Sequence, residues 1–142
     1  MREILFRGKR VDNGEWFFGN LDLRKIGLST CTHIIHQLSM WKTTKFEVIP
    51  ETVGQYTGLT DKKGKKIFEG DIIICDTSMY RHVTGIVKYS ENASCYYIEV
   101  LNSSNDYLFN RENILIIGNI HDNPELLEEL TIEKSSKRGK KS

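Results

Sequence analysis

The stretch QYTGLTDKKGKKIFEGDIIIC, residues 55–75, decides the fold class. Residues 61–64 have the composition of a tight turn, and Gly70 and Asp71 lead into a run of β-branched residues. In that run, residues 72–75, apolar and polar side chains do not alternate, so we expect a strand that is covered on both faces. The stretch therefore predicts strands joined by tight turns, with one strand at the centre of the core.

Short segments with a period of two recur on both sides of this stretch. Residues 4–9 and 15–22 predict a β-hairpin, because Asn13 and Gly14 between them supply the positive φ angles of a hairpin turn. Gly19, inside the second strand, predicts a bulge or a close backbone approach. Further strands are expected over residues 32–38, 46–49, 52–56, 82–89, 95–101 and 114–120.

One helix is predicted near the carboxyl end, over residues 123–130. Asn123 has the character of an N-cap, Pro124 suits the first helical position, and leucines follow at helical spacing. Six to nine short strands and one helix in about 130 residues indicate a mainly β protein. The expected architecture is a small barrel or a curled antiparallel sheet with one C-terminal helix.

Composition and charge bound the organisation of the chain. Its 142 residues are 39% hydrophobic, which predicts one domain over residues 1–130. Residues 134–142 hold five cations and no acid, so residues 131–142 are expected to form a flexible basic tail. Without those five cations the chain has 15 cations against 19 acids. It also lacks a run of ~20 apolar residues and a signal-peptide core, which predicts a cytoplasmic protein with no membrane partner.

Motifs for cofactors, metals and covalent catalysis are missing from the sequence. Phosphate-binding glycine loops and serine nucleophile motifs do not occur, so we expect no cofactor and no catalytic activity. His33 and His36 would face opposite sides of a strand, which argues against a metal site. The enzymatic alternative is a carboxylate pair formed by Glu69 and Asp71 on one face of a strand.

The three cysteines, Cys31, Cys75 and Cys95, have no C-x-x-C spacing, so reduced structural thiols are expected. His121 and Asp122 lie directly before the predicted helix. We interpret these two residues as partners of the helix start rather than as catalytic groups.

Three separated blocks resemble the YopX family of uncharacterised bacteriophage and prophage proteins. They are REILFRGK (residues 2–9), the pattern from Gln55 through Asp61 and Gly64 to EGDI (residues 69–72), and IGNIHDNPELL (residues 117–127). The resemblance implies a compact β protein with SH3-like barrel character and no established enzymatic activity or catalytic residues. Residues 24–45 and the basic tail do not match the pattern, so any function peculiar to this chain is expected there.

A non-catalytic binding module is the function that these observations favour. The expected partner is a host or phage protein, bound through aromatic residues such as Trp16, Phe18, Trp41 and Tyr97. The alternative is a nucleic acid, whose phosphates and bases would be contacted by Lys62, Lys63, Lys65, Lys66 and Arg81, by Tyr80 and Tyr89, and by the basic tail. An exposed edge strand also predicts a homo-oligomer.

Overall fold

The computed structural model describes residues 2–76, 82–100, 106–107 and 112–127. The chain divides into two compact units, residues 1–58 and 59–142. The described strands form two antiparallel sheets, so the prediction of a mainly β protein is confirmed. Within the described residues, no helix is long and apolar enough to cross a membrane.

The strands are β1 (Phe6–Lys9), β2 (Trp16–Ile26), β3 (Ser29–Ser39), β4 (Lys42–Glu47), β5 (Gly54–Thr60), β6 (Lys66–Phe68), β7 (Asp71–Asp76), β8 (Val83–Ser90), β9 (Cys95–Val100), β10 (Asp106–Tyr107) and β11 (Glu112–Asn119). A short 3₁₀ helix, Pro50–Thr52, lies between β4 and β5. Residues 124–127 form a short α-helix.

In the first unit the strands lie in the order β4-β3-β2-β1-β5. Ile34 on β3 and Val48 after β4 are fully buried in its core. The end of β4 returns to the end of β1, where the Val11 N–H donates to the Glu47 carbonyl over 3.0 Å. The strands β4, β3, β2 and β1 therefore curl until the end of β4 lies beside the residues that follow β1.

In the second unit the sheet has the order β10-β9-β8-β7-β11. Ile67 of β6, Ile73 of β7, Val87 of β8 and Ile98 of β9 are fully buried in one apolar cluster. On β7, Ile72, Ile73 and Cys75 are buried and Ile74 is half-buried. The prediction of a central strand over residues 72–75 is confirmed.

Gly19 confirms the prediction of a close backbone approach. A Cβ atom there would collide with the carbonyl of Ile35 on β3. The hairpin of β1 and β2 also forms as predicted, although only Gly14, at φ 72°, has a positive φ, and Asn13 does not. Asn13 instead accepts a hydrogen bond from the Glu15 N–H over 2.9 Å.

Other predictions about the fold need correction or stay open. The described strands form two sheets and no closed barrel, and they number eleven, more than the six to nine expected. The helix begins at Pro124 as predicted. The rest of the predicted helix, residues 128–130, and the basic tail, residues 131–142, lie outside the described residues, and the boundary after residue 130 stays a prediction.

Candidate interaction surface

The four lysines predicted to contact phosphate lie on a turn that Asp61 holds in place. Asp61 Oδ1 accepts hydrogen bonds from the N–H groups of Lys63 and Lys65, both over 2.9 Å. Its Oδ2 accepts a third, from the N–H of Ile116 on β11, over 3.2 Å. Gly64, at φ 83°, supplies the left-handed residue that the turn requires. The turn is thus attached to the edge of β11, and its four lysines are exposed.

The carboxylate of Asp61 is only 6% exposed and is held in its charged form. Burial acts to raise its pKa, but the backbone N–H groups of Lys65, Ile116 and Lys63 together outweigh that effect. The pKa of Asp61 is therefore lower than usual. Asp61 is a structural anchor of the turn.

Tyr89, the described residue predicted to stack on bases, lies far from the lysine turn. The Lys62 N–H donates to the Ile114 carbonyl on β11. In the strand register Ile114 lies beside the end of β7 at Cys75, and Cys75 pairs with Val83 on β8. Tyr89 lies on β8 six residues further along. With spacings of ~3.3 Å per residue and ~4.8 Å per strand, the two places are separated by about 20 Å or more.

Tyr89 also has a partner of its own. Its ring packs edge to face on Tyr96, with 5.1 Å between the ring centroids. Tyr80 and Arg81 lie outside the described residues. The structure therefore does not assemble Tyr89 and the lysines into one patch, and the nucleic-acid hypothesis rests on the lysine turn.

The Glu69 and Asp71 pair of the enzymatic hypothesis occupies another turn. Asp71 is 2% exposed, and its Oδ2 accepts a hydrogen bond from the Phe68 N–H over 2.8 Å. Gly70 between the two acids has a φ of 90°. The Asp71 carboxylate closes the turn between β6 and β7, which is a structural role.

The segment before the helix is organised by Asn119 and Asn123. Asn119 Oδ1 accepts hydrogen bonds from the N–H groups of His121 and Asp122, over 3.0 and 2.9 Å. Asn123 Oδ1 accepts from the Asn119 N–H over 3.2 Å, so the predicted N-cap side chain folds back toward β11 instead of capping the helix. Among the described residues, no group of three or more His, Cys, Asp or Glu side chains could hold a metal ion.

The four aromatic residues expected to bind a partner are divided between the two units. Trp16 is half-buried, with the guanidinium of Arg7 4.6 Å from its ring centroid. Phe18 is partly exposed, whereas Trp41 is 91% exposed. Tyr97 is half-buried on β9 in the second unit. Of these residues, Trp41 offers the largest exposed fraction to a partner.

Trp41 belongs to a segment that is unusually apolar at its surface, residues 23–46, which we call the double hairpin. It contains the outer half of β2, all of β3, most of β4, and the loops at residues 27–28 and 40–41. Half of the exposed large apolar residues of the described chain lie in it: Leu23, Ile26, Leu28, Leu38, Met40 and Trp41. They are concentrated at the two loops, which the 11 residues of β3 place about 35 Å apart.

The two loops differ in their turn chemistry. In the 27–28 loop, Gly27 has a φ of 63° and stands at the first central position, as a type II′ turn requires. In the 40–41 loop neither Met40 nor Trp41 has a positive φ, and the register shifts between Gln37 and Ser39 on β3. Met40 and Trp41, 80% and 91% exposed, thus serve neither the core nor the turn.

The double hairpin also has a one-sided charge. Residues 23–46 contain four cations and no acid. Two of the cations share one ion-pair partner, Asp22, whose Oδ2 lies 3.1 Å from both Lys45 Nζ and Arg24 Nε. Those bonds lower the pKa of Asp22, first through Lys45. Lys25 and Lys42 have no ion pair in the part of the chain that the structure describes.

Comparison with known proteins gives the family context. The family model described as YopX protein matches residues 5–128. The chain belongs to the YopX family. The match includes residues 24–45, which the sequence pattern alone did not assign to it. This YopX chain is also similar to the crystal structure of protein EF1440 from Enterococcus faecalis, with 25% identity, a TM-score of 0.54, and coverage of 89% of this chain and 99% of that one. No curated protein matches it.

Sequence reasoning placed a special function in residues 24–45 and named Trp41 as a residue that would bind a partner, but it did not find Met40 or the other exposed apolar residues of the segment. The acid-free run of residues 23–46 is visible in the sequence and was the available signal. The exposure of Met40 and Trp41 was not visible, because apolar residues in a β-rich segment usually predict a buried face. Only the register of β3 and β4 places these two residues in a loop.

Proposed function

We propose that the chain is a non-catalytic binding module of a bacteriophage or prophage, acting in the host cytoplasm on a host or phage protein. The observation that carries the proposal is the cluster of exposed apolar residues at the 40–41 end of the double hairpin, Leu38, Met40 and Trp41. Soluble proteins rarely expose several large apolar residues together unless the patch binds something. Trp and Met are also enriched at the centres of protein interfaces.

Several polar residues bind backbone N–H groups of the fold, and they include Asp71, one member of the carboxylate pair of the enzymatic alternative. Asp71 closes a turn, Asp61 holds the lysine turn, and Asn119 and Asn123 organise the segment before the helix. These positions belong to the blocks that carry the family resemblance. Structural roles explain them, which favours a binding function over an enzymatic one.

A nucleic acid is the second candidate, and one observation favours it. Four exposed lysines stand on a turn whose backbone is fixed by Asp61 and β11. The fixed backbone keeps the four cations close together, and phosphate binding by such cations weakens steeply with salt. A protein partner held by apolar contacts would instead resist salt.

The test is co-purification from the bacterial host at low and at high salt, with mass spectrometry and absorbance as readouts. A stoichiometric protein should survive high salt and should be lost from a Leu28→Ser/Trp41→Ser variant. Val11→Ser removes an exposed apolar side chain outside the double hairpin and should retain the protein. The identified protein is then purified and titrated against the same variants.

The outcomes separate the two candidates. Nucleic acid that leaves at high salt and is absent from a variant with glutamate at Lys62, Lys63, Lys65 and Lys66 would support the second candidate and refute the first. A co-purifying protein that binds both variants equally would show that the double hairpin is not the interface.

A further inference from the structure

The outer edge of β4, at Thr43 and Lys45, pairs with no other strand among the described residues. β4 pairs with β3 on one side and ends the strand order of the first unit. The Val48 N–H donates to the Thr32 carbonyl over 2.9 Å. In an antiparallel ladder, hydrogen-bonded pairs alternate with pairs that are not hydrogen-bonded. The backbone groups of Phe46 and Thr44 therefore bond to β3, and those of every second residue point away from β3.

The residues whose backbone faces outward are Thr43, Lys45 and Glu47. The Glu47 carbonyl confirms this alternation, because it accepts the bond from Val11 on the side away from β3. Thr43 and Lys45 are exposed, and their outward N–H and carbonyl groups have no partner in the described part of the chain. Two residues thus present two donors and two acceptors in the pattern that a further strand would use.

The charge and the exposed residues near the outer edge of β4 indicate what kind of strand could pair with it. Lys42 has no ion pair among the described residues, and residues 23–46 contain no acid. Glu47, the acid of β4, lies at the far end of the strand, where its carbonyl is already bonded to Val11. Trp41 and Met40 stand at the end of this edge, exposed and unused by the turn. We infer that the edge of β4 and the 40–41 loop bind an extended acidic peptide segment with an apolar residue, by strand addition. This inference rests on the proposed function and names the class of partner.

A second copy of this chain and a nucleic acid fit the edge less well. Antiparallel pairing of two β4 strands would satisfy the outward groups of Thr43 and Lys45, but in that register Phe46 of the second copy, and not an acid, stands opposite Lys42. A phosphodiester chain would satisfy the lysines but has no regular N–H donors for the outward carbonyls of Thr43 and Lys45. An acidic peptide matches both the charge and the hydrogen-bonding pattern.

The experiment titrates a synthetic peptide of alternating glutamate and valine that ends in leucine into the full chain, by calorimetry. We expect saturable binding with a Kd of about 0.1 mM. Two control peptides test the mode of binding. One carries N-methyl groups on alternate residues, which removes the strand's donors and keeps its charge, and the other has lysine in place of glutamate. Neither should bind measurably.

Variants of the chain locate the site. Thr43→Pro removes an outward N–H without removing a bond to β3, and should weaken binding about fivefold. Thr43→Val keeps the N–H and should bind as the wild type does. Lys42→Glu and Trp41→Ser should each weaken binding about tenfold. Lys25→Glu and Leu28→Ser, at the 27–28 loop, should have no effect.

Equal binding of the N-methylated peptide or of the lysine peptide would overturn the inference, and so would the absence of saturable binding. Binding of single-stranded oligothymidylate that depends on Lys42, in place of peptide binding, would also overturn it and assign the edge to nucleic acid. If Thr43→Pro does not fold, the peptide controls and Lys42→Glu still decide. Loss of a co-purified protein from the loop variants, without peptide binding, would refute strand addition alone and leave the proposed function standing.

Discussion

Asp61→Asn is the substitution that tests most directly how the lysine turn is held. The side chain of asparagine has the same shape, so the change removes the charge and one acceptor oxygen without leaving a cavity. In the wild type, three backbone N–H groups donate to the carboxylate. In the variant, the amide oxygen can keep the bonds from Lys63 and Lys65, while the amide NH₂ faces the donor of Ile116.

The expected loss of unfolding free energy follows from those three bonds. Each of the two retained bonds changes from a charge-assisted to a neutral one, for a loss of about 0.5 kcal/mol each. The Ile116 N–H loses its acceptor beside a buried group, at about 1 to 2 kcal/mol. The unfolding free energy should therefore fall by about 2 to 3 kcal/mol, which corresponds to a Tm lower by about 6 to 10 °C for a chain of this size.

The pH dependence gives a second, independent readout. The pKa of Asp61 in the folded chain is lower than the ordinary value of 3.8. The charged carboxylate therefore stabilises the fold at every pH above the pKa that Asp61 has in the unfolded chain. This contribution is lost as pH falls through the folded pKa, where the protonated side chain is as poor an acceptor as asparagine. The difference between wild type and Asp61→Asn should be full at pH 7 and should shrink as the pH falls through the lowered pKa of Asp61.

The assay is urea unfolding followed by far-ultraviolet circular dichroism at a series of pH values. Asp12→Asn is the matched control, because Asp12 is also a carboxylate with a lowered pKa, caused first by its hydrogen bond with Arg10, but it is exposed. Its removal should change the unfolding free energy little. A loss below about 0.5 kcal/mol for Asp61→Asn at pH 7, or a difference that persists in acid, would refute the anchoring role.

Three further predictions concern single positions. Gly19→Ala should lower the unfolding free energy by more than about 2 kcal/mol, because the added Cβ meets the carbonyl of Ile35; unfolding in urea measures this, and an unchanged midpoint would contradict the close approach. Trp41→Ser should leave the unfolding free energy within about 0.5 kcal/mol of the wild-type value, since the side chain is 91% exposed; a larger loss would mean that Trp41 serves the fold. Cys75, 1% exposed, should react with a thiol reagent only on unfolding, and labelling of Cys75 in the native protein, detected by mass spectrometry, would argue against its place in the core.

The sequence predicted best where local chemistry decides the structure. Gly64 and Asp61 make a turn that would form in many contexts, because the glycine adopts a positive φ and the carboxylate binds nearby N–H groups. The run of residues 72–75 lacks alternation, which requires cover on both faces whatever the topology. These features were predictable without knowing which strands become neighbours.

The prediction was incomplete where the outcome depends on long-range pairing. A sequence period of two shows that strands exist but not whether a sheet closes, so it could not distinguish a barrel from two sheets. The lysine turn and Tyr89 carry the residue types of a nucleic-acid surface, yet the register separates them by about 20 Å or more. Which chemical groups meet is a property of the pairing order rather than of their composition.

The two loops of the double hairpin show how a failure of local rules can indicate function. Gly27 satisfies the backbone requirement of its turn, so the sequence of the 27–28 loop is explained by folding. Met40 and Trp41 have no such explanation, because turn formation favours Asn, Asp or Gly and burial does not apply to residues 80% and 91% exposed. Where sequence and local structure disagree without a gain in stability, the compensating gain is expected from function. The same end of the sheet carries the outer edge of β4 and Lys42, which has no ion pair among the described residues, so backbone, charge and apolar surface all favour the proposed site there.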